Sequence, residues 1–155
     1  MNSRSLQRPL IMMAAVMLFA GLAGGVATAE NAPAKGQEGF ARLDPAAFEQ
    51  HMKNDQAMVI NVHVPYQGEI DGTDAFIPYD KIKNDPRLPK DKNAEILLYC
   101  RSGNMSEKAG KDLHDAGYTN LAHLEGGMNA WEGSGRKLTY NPQHAAEQGG
   151  GSHDM

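Results

Sequence analysis

The stretch from Glu95 to Ala116 constrains the fold most: an aliphatic run, EILLY, passes through Cys100-Arg101-Ser102-Gly103-Asn104-Met105-Ser106 into an amphipathic segment. A short apolar run of this kind reads as a buried strand. Met105, Ala109, Leu113 and Ala116 then recur at helical spacing, and Gly117 stands where the helix should stop. Glu107 and Lys111, and Lys108 and Asp112, form i, i+4 pairs on the wet face. A buried strand turning straight into a helix needs sheet neighbours. Met58–Val64, the β-branched run MVINVHV ended by Pro65, supplies one, and Leu121–Leu124 supplies another. An earlier helix should start at Pro45, with Asp44 as its cap, Leu43 and Phe48 as a hydrophobic staple, and Phe48 and Met52 on one face. Tyr66 to Pro78 reads as loop, Tyr79 to Lys83 as one helical turn, and Met128 to Trp131 as a last short helix after Gly126-Gly127. Strands alternating with helices predict an α/β layer fold built on a parallel sheet, with the active site beyond the carboxyl ends of the strands.

The ends of the chain read differently. Arg4 and Arg8 precede an apolar run from Leu10 to about Ala23, then Gly24-Gly25, then Ala27-Thr28-Ala29. That is the three-part plan of a secretory signal peptide over residues 1–29, cut after Ala29. An uncut membrane anchor is the alternative, but the run is short against the ~20 residues a span requires. Residues 30–40 read as a flexible lead-in, residues 41–140 as one domain, and residues 141–155 as a disordered polar tail. Without the leader the chain carries 13 basic and 19 acidic residues, a net charge of −6 with neutral histidines. That balance argues against a nucleic-acid partner and against docking on anionic lipid. Export and cleavage together predict a periplasmic protein with no stable membrane anchor.

Cys100 is the single cysteine of the chain, so no internal disulfide can form. Its position suggests reactivity rather than packing. Gly103 and Asn104 tolerate unusual dihedrals, so the loop amides can point inward, and the following helix adds partial positive charge at its start. Such a nest stabilises a thiolate, and Arg101 adds a full charge beside it. The nucleophile would be Cys100, and the loop through Arg101, Ser102, Gly103, Asn104, Met105 and Ser106 would form the anion nest.

The segment Cys100–Ser106 resembles the active-site loop of single-domain rhodaneses, often written C-R-S-G-N-R-S. Val59-Ile60-Asn61-Val62-His63 is similar to that family's strand ending Asp-Val-Arg. Gly68-Glu69-Ile70 and Ile77-Pro78 resemble its Gly-His-Ile and Ile-Pro landmarks, and Gly126-Gly127 with Trp131 its Gly-Gly-x-x-x-Trp close. The resemblance covers about Leu43 to Leu138. It implies a rhodanese-like fold, a central parallel sheet flanked by helices on both faces. It also implies a sulfurtransferase that moves sulfane sulfur from a small sulfur-containing anion such as thiosulfate, through a persulfide on Cys100, to a thiol, cyanide or protein acceptor. No metal or organic cofactor is implied. The alternative is a rhodanese-like sulfur-carrier or partner-binding module without turnover.

Four positions depart from that pattern. Met105 stands where the family often has Arg and could simply pack, Asn61 replaces Asp, His63 replaces Arg, and Glu69 replaces His. Met105 and Glu69 make the site less cationic, and Asn61 with His63 removes a charge pair. Glu69 would repel an anionic substrate if it faced the pocket and would do nothing if it faced solvent. A cysteine phosphatase wants Arg six residues after its nucleophile to clamp the oxyanion, and this chain has Ser106 there. Thioredoxin-like exchange needs a second cysteine. The six histidines show no metal-ligand spacing, and Trp131 and Tyr99 read as core. Oligomeric state is not readable from the chain.

Overall fold

The computed structural model describes residues 39–148. The leader, its cleavage site and most of the lead-in lie outside the described residues, as does the chain from residue 149 onward. Five strands form one parallel sheet: β1 (Ala41–Leu43), β2 (Met58–Asn61), β3 (Ala75–Phe76), β4 (Ile96–Tyr99) and β5 (Leu121–Leu124), in the spatial order β1-β5-β4-β2-β3. The helices are α1 (Pro45–Met52), α2 (Asn104–Asp115), α3 (Gly127–Gly133) and α4 (Pro142–Glu147), with a 3-10 turn at Ile82–Asn84.

β4 is central and buried along its whole length, which is why it reads as continuous aliphatic sequence rather than as an alternating pattern. Its side chains divide between two apolar layers. Ile96, Leu98 and Cys100 join Ile60, Val62, Ala109 and Leu113 on the α2 face. Leu97 and Tyr99 join Val59, Phe48, Met128 and Trp131 on the α1 and α3 face. Helices therefore cover both faces of the sheet, as the resemblance implied.

The local signals account for most boundaries. Asp44 caps α1, its Oδ1 accepting the Ala47 amide at 2.8 Å, and Pro45 occupies the first turn. Gly117, with φ +93°, ends α2 as expected. β2 stops at Asn61, three residues short of the expected Val64, because its ladder ends with the 2.9 Å bond from the Val62 amide to the Tyr99 carbonyl.

Three elements escaped the sequence reading. β1 is only three residues and precedes α1 directly. β3 is two residues inside the expected loop Tyr66–Pro78. α4 falls where a disordered tail beginning at Asn141 was expected: over Pro142–Glu147 the chain is helical. Asn141 caps α4 through its side chain, Glu147 pairs with Arg87 at 2.8 Å, and His144 Nδ1 lies 2.6 Å from Glu69 Oε2.

Candidate active site

Cys100 follows β4 directly, at the carboxyl end of the sheet, and is 1 % exposed. The Gly103 amide donates to its Sγ at 3.0 Å, and the Ser106 hydroxyl lies 3.7 Å from the same sulfur. Gly103 adopts φ +100°, a left-handed conformation that suits glycine and turns its N–H back toward the sulfur as α2 begins. Ser106, fully buried, also donates to the Gly103 carbonyl at 3.0 Å and sits 3.1 Å from His123 Nδ1.

The loop is held from below by the Gly126-Gly127 turn. The amides of Met128 and Asn129, at the start of α3, donate to the carbonyls of Cys100 and Arg101 at 2.8 and 3.0 Å. Those bonds tie down the Cys100 and Arg101 carbonyls, while the Gly103 amide is left on the sulfur. Gly127 allows the approach, since a Cβ there would stand 2.3 Å from the Cys100 carbonyl oxygen. Trp131 anchors the far side, 6 % exposed, its indole N–H donating to the Lys137 carbonyl at 3.1 Å. A motif spaced by sequence alone thus becomes a clamp on the Cys100 loop.

The six proposed substrate-binding residues are contiguous but not alike. Gly103 and Ser106 are buried at the sulfur. Ser102 and Asn104 are exposed. Met105 is half-buried against the α2-side core, consistent with a packing role. Arg101 is half-exposed and pairs with Glu132 at 3.4 Å, so part of its charge is engaged.

The departures from the family pattern also resolve. Asn61 is fully buried; its amide donates to the Gly68 carbonyl at 3.0 Å and its Oδ1 accepts the His63 amide at 3.0 Å. It shapes the loop after β2 through neutral hydrogen bonds. His63 is 8 % exposed, with Nε2 3.2 Å from Gln67 and Nδ1 buried without a hydrogen-bond partner. Burial holds its imidazole below the ordinary histidine range; the Gln67 contact opposes this and the Arg101 charge adds to it. Glu69 faces neither pocket nor solvent. It is 4 % exposed, accepts from Tyr66 at 3.0 Å, and meets His144. A cavity of about 770 Å³, lined by Val64, Pro65, Phe76, Pro78, Arg87 and Glu147 among others, includes none of Cys100–Ser106.

A family model described as the rhodanese-like domain matches residues 44–134. The chain belongs to the rhodanese-like family. Among curated proteins it is 34 % identical over 96 residues to an uncharacterized protein of Synechocystis, covering 60 % of this chain and 52 % of that one. It is 28 % identical over 95 residues to a tRNA uridine(34) hydroxylase of Erwinia tasmaniensis, covering 57 % of this chain and 27 % of the other. The chain thus spans about half, or about a quarter, of the curated relatives it matches. Among solved structures, a rhodanese-related protein of Thermoplasma volcanium aligns with TM-score 0.54 and 20 % identity, over 64 % of this chain and 98 % of that one. A Rhodopseudomonas palustris protein described as a possible tyrosine phosphatase aligns with TM-score 0.53 and 24 % identity, over 64 % and 84 %. At those identities the structural likeness speaks for the fold.

Sequence reasoning found the rhodanese loop and its closing motif. It missed His123, which it treated only as one of six scattered histidines. The available signal was its place in β5, the strand next to β4, one position before the strand end that leads into the Gly-Gly turn.

Proposed function

We propose that this rhodanese-like protein is a sulfurtransferase working through a persulfide on Cys100, outside the cytoplasm once the leader over residues 1–29 is removed. The observation that carries the reading is the nucleophile geometry. Cys100 Sγ accepts the Gly103 amide at the mouth of a strand-to-helix loop whose own carbonyls are bonded away from the site. In the first half-reaction the Cys100 thiolate attacks the outer sulfur of a donor such as thiosulfate. The new S–S bond forms as the donor's S–S bond breaks, and sulfite leaves. The outer persulfide sulfur then lies among the Arg101–Ser106 amides. In the second half-reaction an acceptor thiolate or cyanide attacks that sulfur and Cys100 departs as thiolate. The scheme requires no cofactor and predicts ping-pong kinetics.

The relatives named as tRNA uridine(34) hydroxylases supply no substrate for this reading. The match covers about a quarter of the Erwinia enzyme, and a mature charge of −6 is unsuited to a polyanion. The phosphatase alternative stays disfavoured because Ser106 occupies the position where an oxyanion-clamping Arg is wanted.

Incubation with thiosulfate followed by intact-mass spectrometry tests the proposal. One added sulfur is expected on the wild type and none on Cys100→Ala, with circular dichroism unchanged. Sulfur transfer by Cys100→Ala would refute the mechanism. A second reading, a carrier without turnover, is favoured by the burial of Cys100 and by the pairing of Arg101 with Glu132. It predicts one equivalent of persulfide and no multiple turnover to cyanide or thiol.

A further inference from the structure

Behind the nucleophile lies a buried titratable side chain that the sulfur-transfer scheme does not use. His123 is 2 % exposed, in the middle of β5, and its Nδ1 is 3.1 Å from Ser106 Oγ, which is itself 3.7 Å from Cys100 Sγ. In the sheet His123 pairs in register with Leu98 of β4 and Arg42 of β1. The Arg42 guanidinium contacts Glu107 of α2 at 3.1 Å, and the Phe40 ring meets the imidazole edge-on at 5.4 Å.

The hydroxyl of Ser106 has one proton and two lone pairs. Three groups compete for that proton: the Gly103 carbonyl at 3.0 Å, His123 Nδ1 and Cys100 Sγ. If Nδ1 carries no proton, the hydroxyl donates to it and turns lone pairs toward an anionic sulfur. If Nδ1 carries a proton, it donates to a Ser106 lone pair, and the hydroxyl proton is left for Sγ and the Gly103 carbonyl. Only the second arrangement gives the Cys100 thiolate a second donor beside the Gly103 amide.

We propose that His123 is a positioning residue that donates from Nδ1 to Ser106 and thereby aims the Ser106 hydroxyl proton at the Cys100 sulfur. The inference rests on Cys100 being the site's nucleophile, but on no particular sulfur donor. His123 acts through Ser106 and need not touch substrate. In this arrangement a histidine in the middle of a core strand has a task that packing alone would not require.

The experiment is a pH titration of the Cys100 thiolate by its ultraviolet absorbance, with Cys100→Ala as the blank. His123→Leu should lower the thiolate fraction at pH 7 about tenfold, the worth of one hydrogen bond to a charged acceptor. His123→Asn, which keeps a side-chain N–H near the Nδ1 position, should restore most of it. Ser106→Ala should lose as much as His123→Leu, and combining the two should lose no more. An unchanged thiolate fraction in His123→Leu overturns the proposal, as does a His123→Leu effect that persists undiminished in the Ser106→Ala background. Independently of any variant's folding, nitrogen-15 NMR of the wild type should find His123 protonated at Nδ1; a neutral ring protonated only at Nε2 overturns it. These readouts use no sulfur donor. Their failure leaves the persulfide result standing, and failure to form a persulfide leaves them interpretable.

Discussion

At Gly127 a single missing methyl group decides whether the Cys100 loop can close. Its φ is +58°, and a Cβ there would meet the Cys100 carbonyl at 2.3 Å and Arg101 backbone at 2.7 and 2.8 Å. Backbone atoms at both ends of that contact cannot swing aside as a flexible side chain would. Gly127→Ala should therefore cost about 2–3 kcal/mol in urea denaturation and reduce the proposed sulfur transfer further than the stability loss explains. His63 makes a different prediction, in pH. Its ordinary pKa is 6.5, and the fold holds it lower because the ring is buried. Below pH 6.5 the unfolded chain takes up a proton that the folded chain still refuses. The histidine therefore leaves stability undiminished above pH 6.5 and erodes it as pH falls toward the folded value. The urea midpoint should fall more steeply below pH 6.5 in the wild type than in His63→Gln. Equal slopes would mean His63 is not the group responsible.

Among the elements, β4 and α2 were legible because each repeats one signal over several residues: continuous apolar character for a strand covered on both faces, and 3.6-residue spacing for the helix. α1 was legible from its ends rather than its middle. Asp44→Ala should cost about 1 kcal/mol, measured by chemical denaturation, because Oδ1 accepts an amide that α1 cannot bond internally. β1 and β3 were not legible. β1 has three residues and β3 two, too few to establish a period. Their strand character comes from neighbours, with Ala41, Arg42 and Leu43 in register with β5 and Ala75 and Phe76 with β2. α4 was concealed by composition. Its six residues include nothing buried, and its sequence is polar enough to pass for a tail.

For the molecule as a whole, the segment after α3 works as a strap. Thr139 exchanges two backbone hydrogen bonds with Glu69, at 2.8 and 2.9 Å, and the Asn141 amide donates to the Tyr66 hydroxyl at 2.9 Å. His144 then meets Glu69, and Glu147 meets Arg87. The Arg87–Glu147 pair is partly exposed and contributes little, whereas Glu69 is a buried carboxylate whose partners matter. His144→Ala should cost about 2 kcal/mol by leaving Glu69 to Tyr66 alone. Removing residues 141–155 should lower Tm by more than that single change does. An unchanged Tm in both variants would mean the strap adds no stability. The strap lies beyond residues 44–134, where the rhodanese-like model matches.

The lone thiol, the glycine-bearing loop after a buried strand, the helix that follows it and the Gly-Gly-x-x-x-Trp close were determined by local sequence. Each depends on residue types a few positions apart, and the backbone conformations they favour are local properties. Only the tertiary structure decided which groups meet across the sheet. It set the Met128 and Asn129 amides on the loop carbonyls, turned Glu69 inward to His144, and brought His123 to Ser106 from 17 residues away. Those contacts depend on strand order and register. A parallel sheet sets both through the packing of its two apolar layers, a property of the whole chain that no short window of sequence contains.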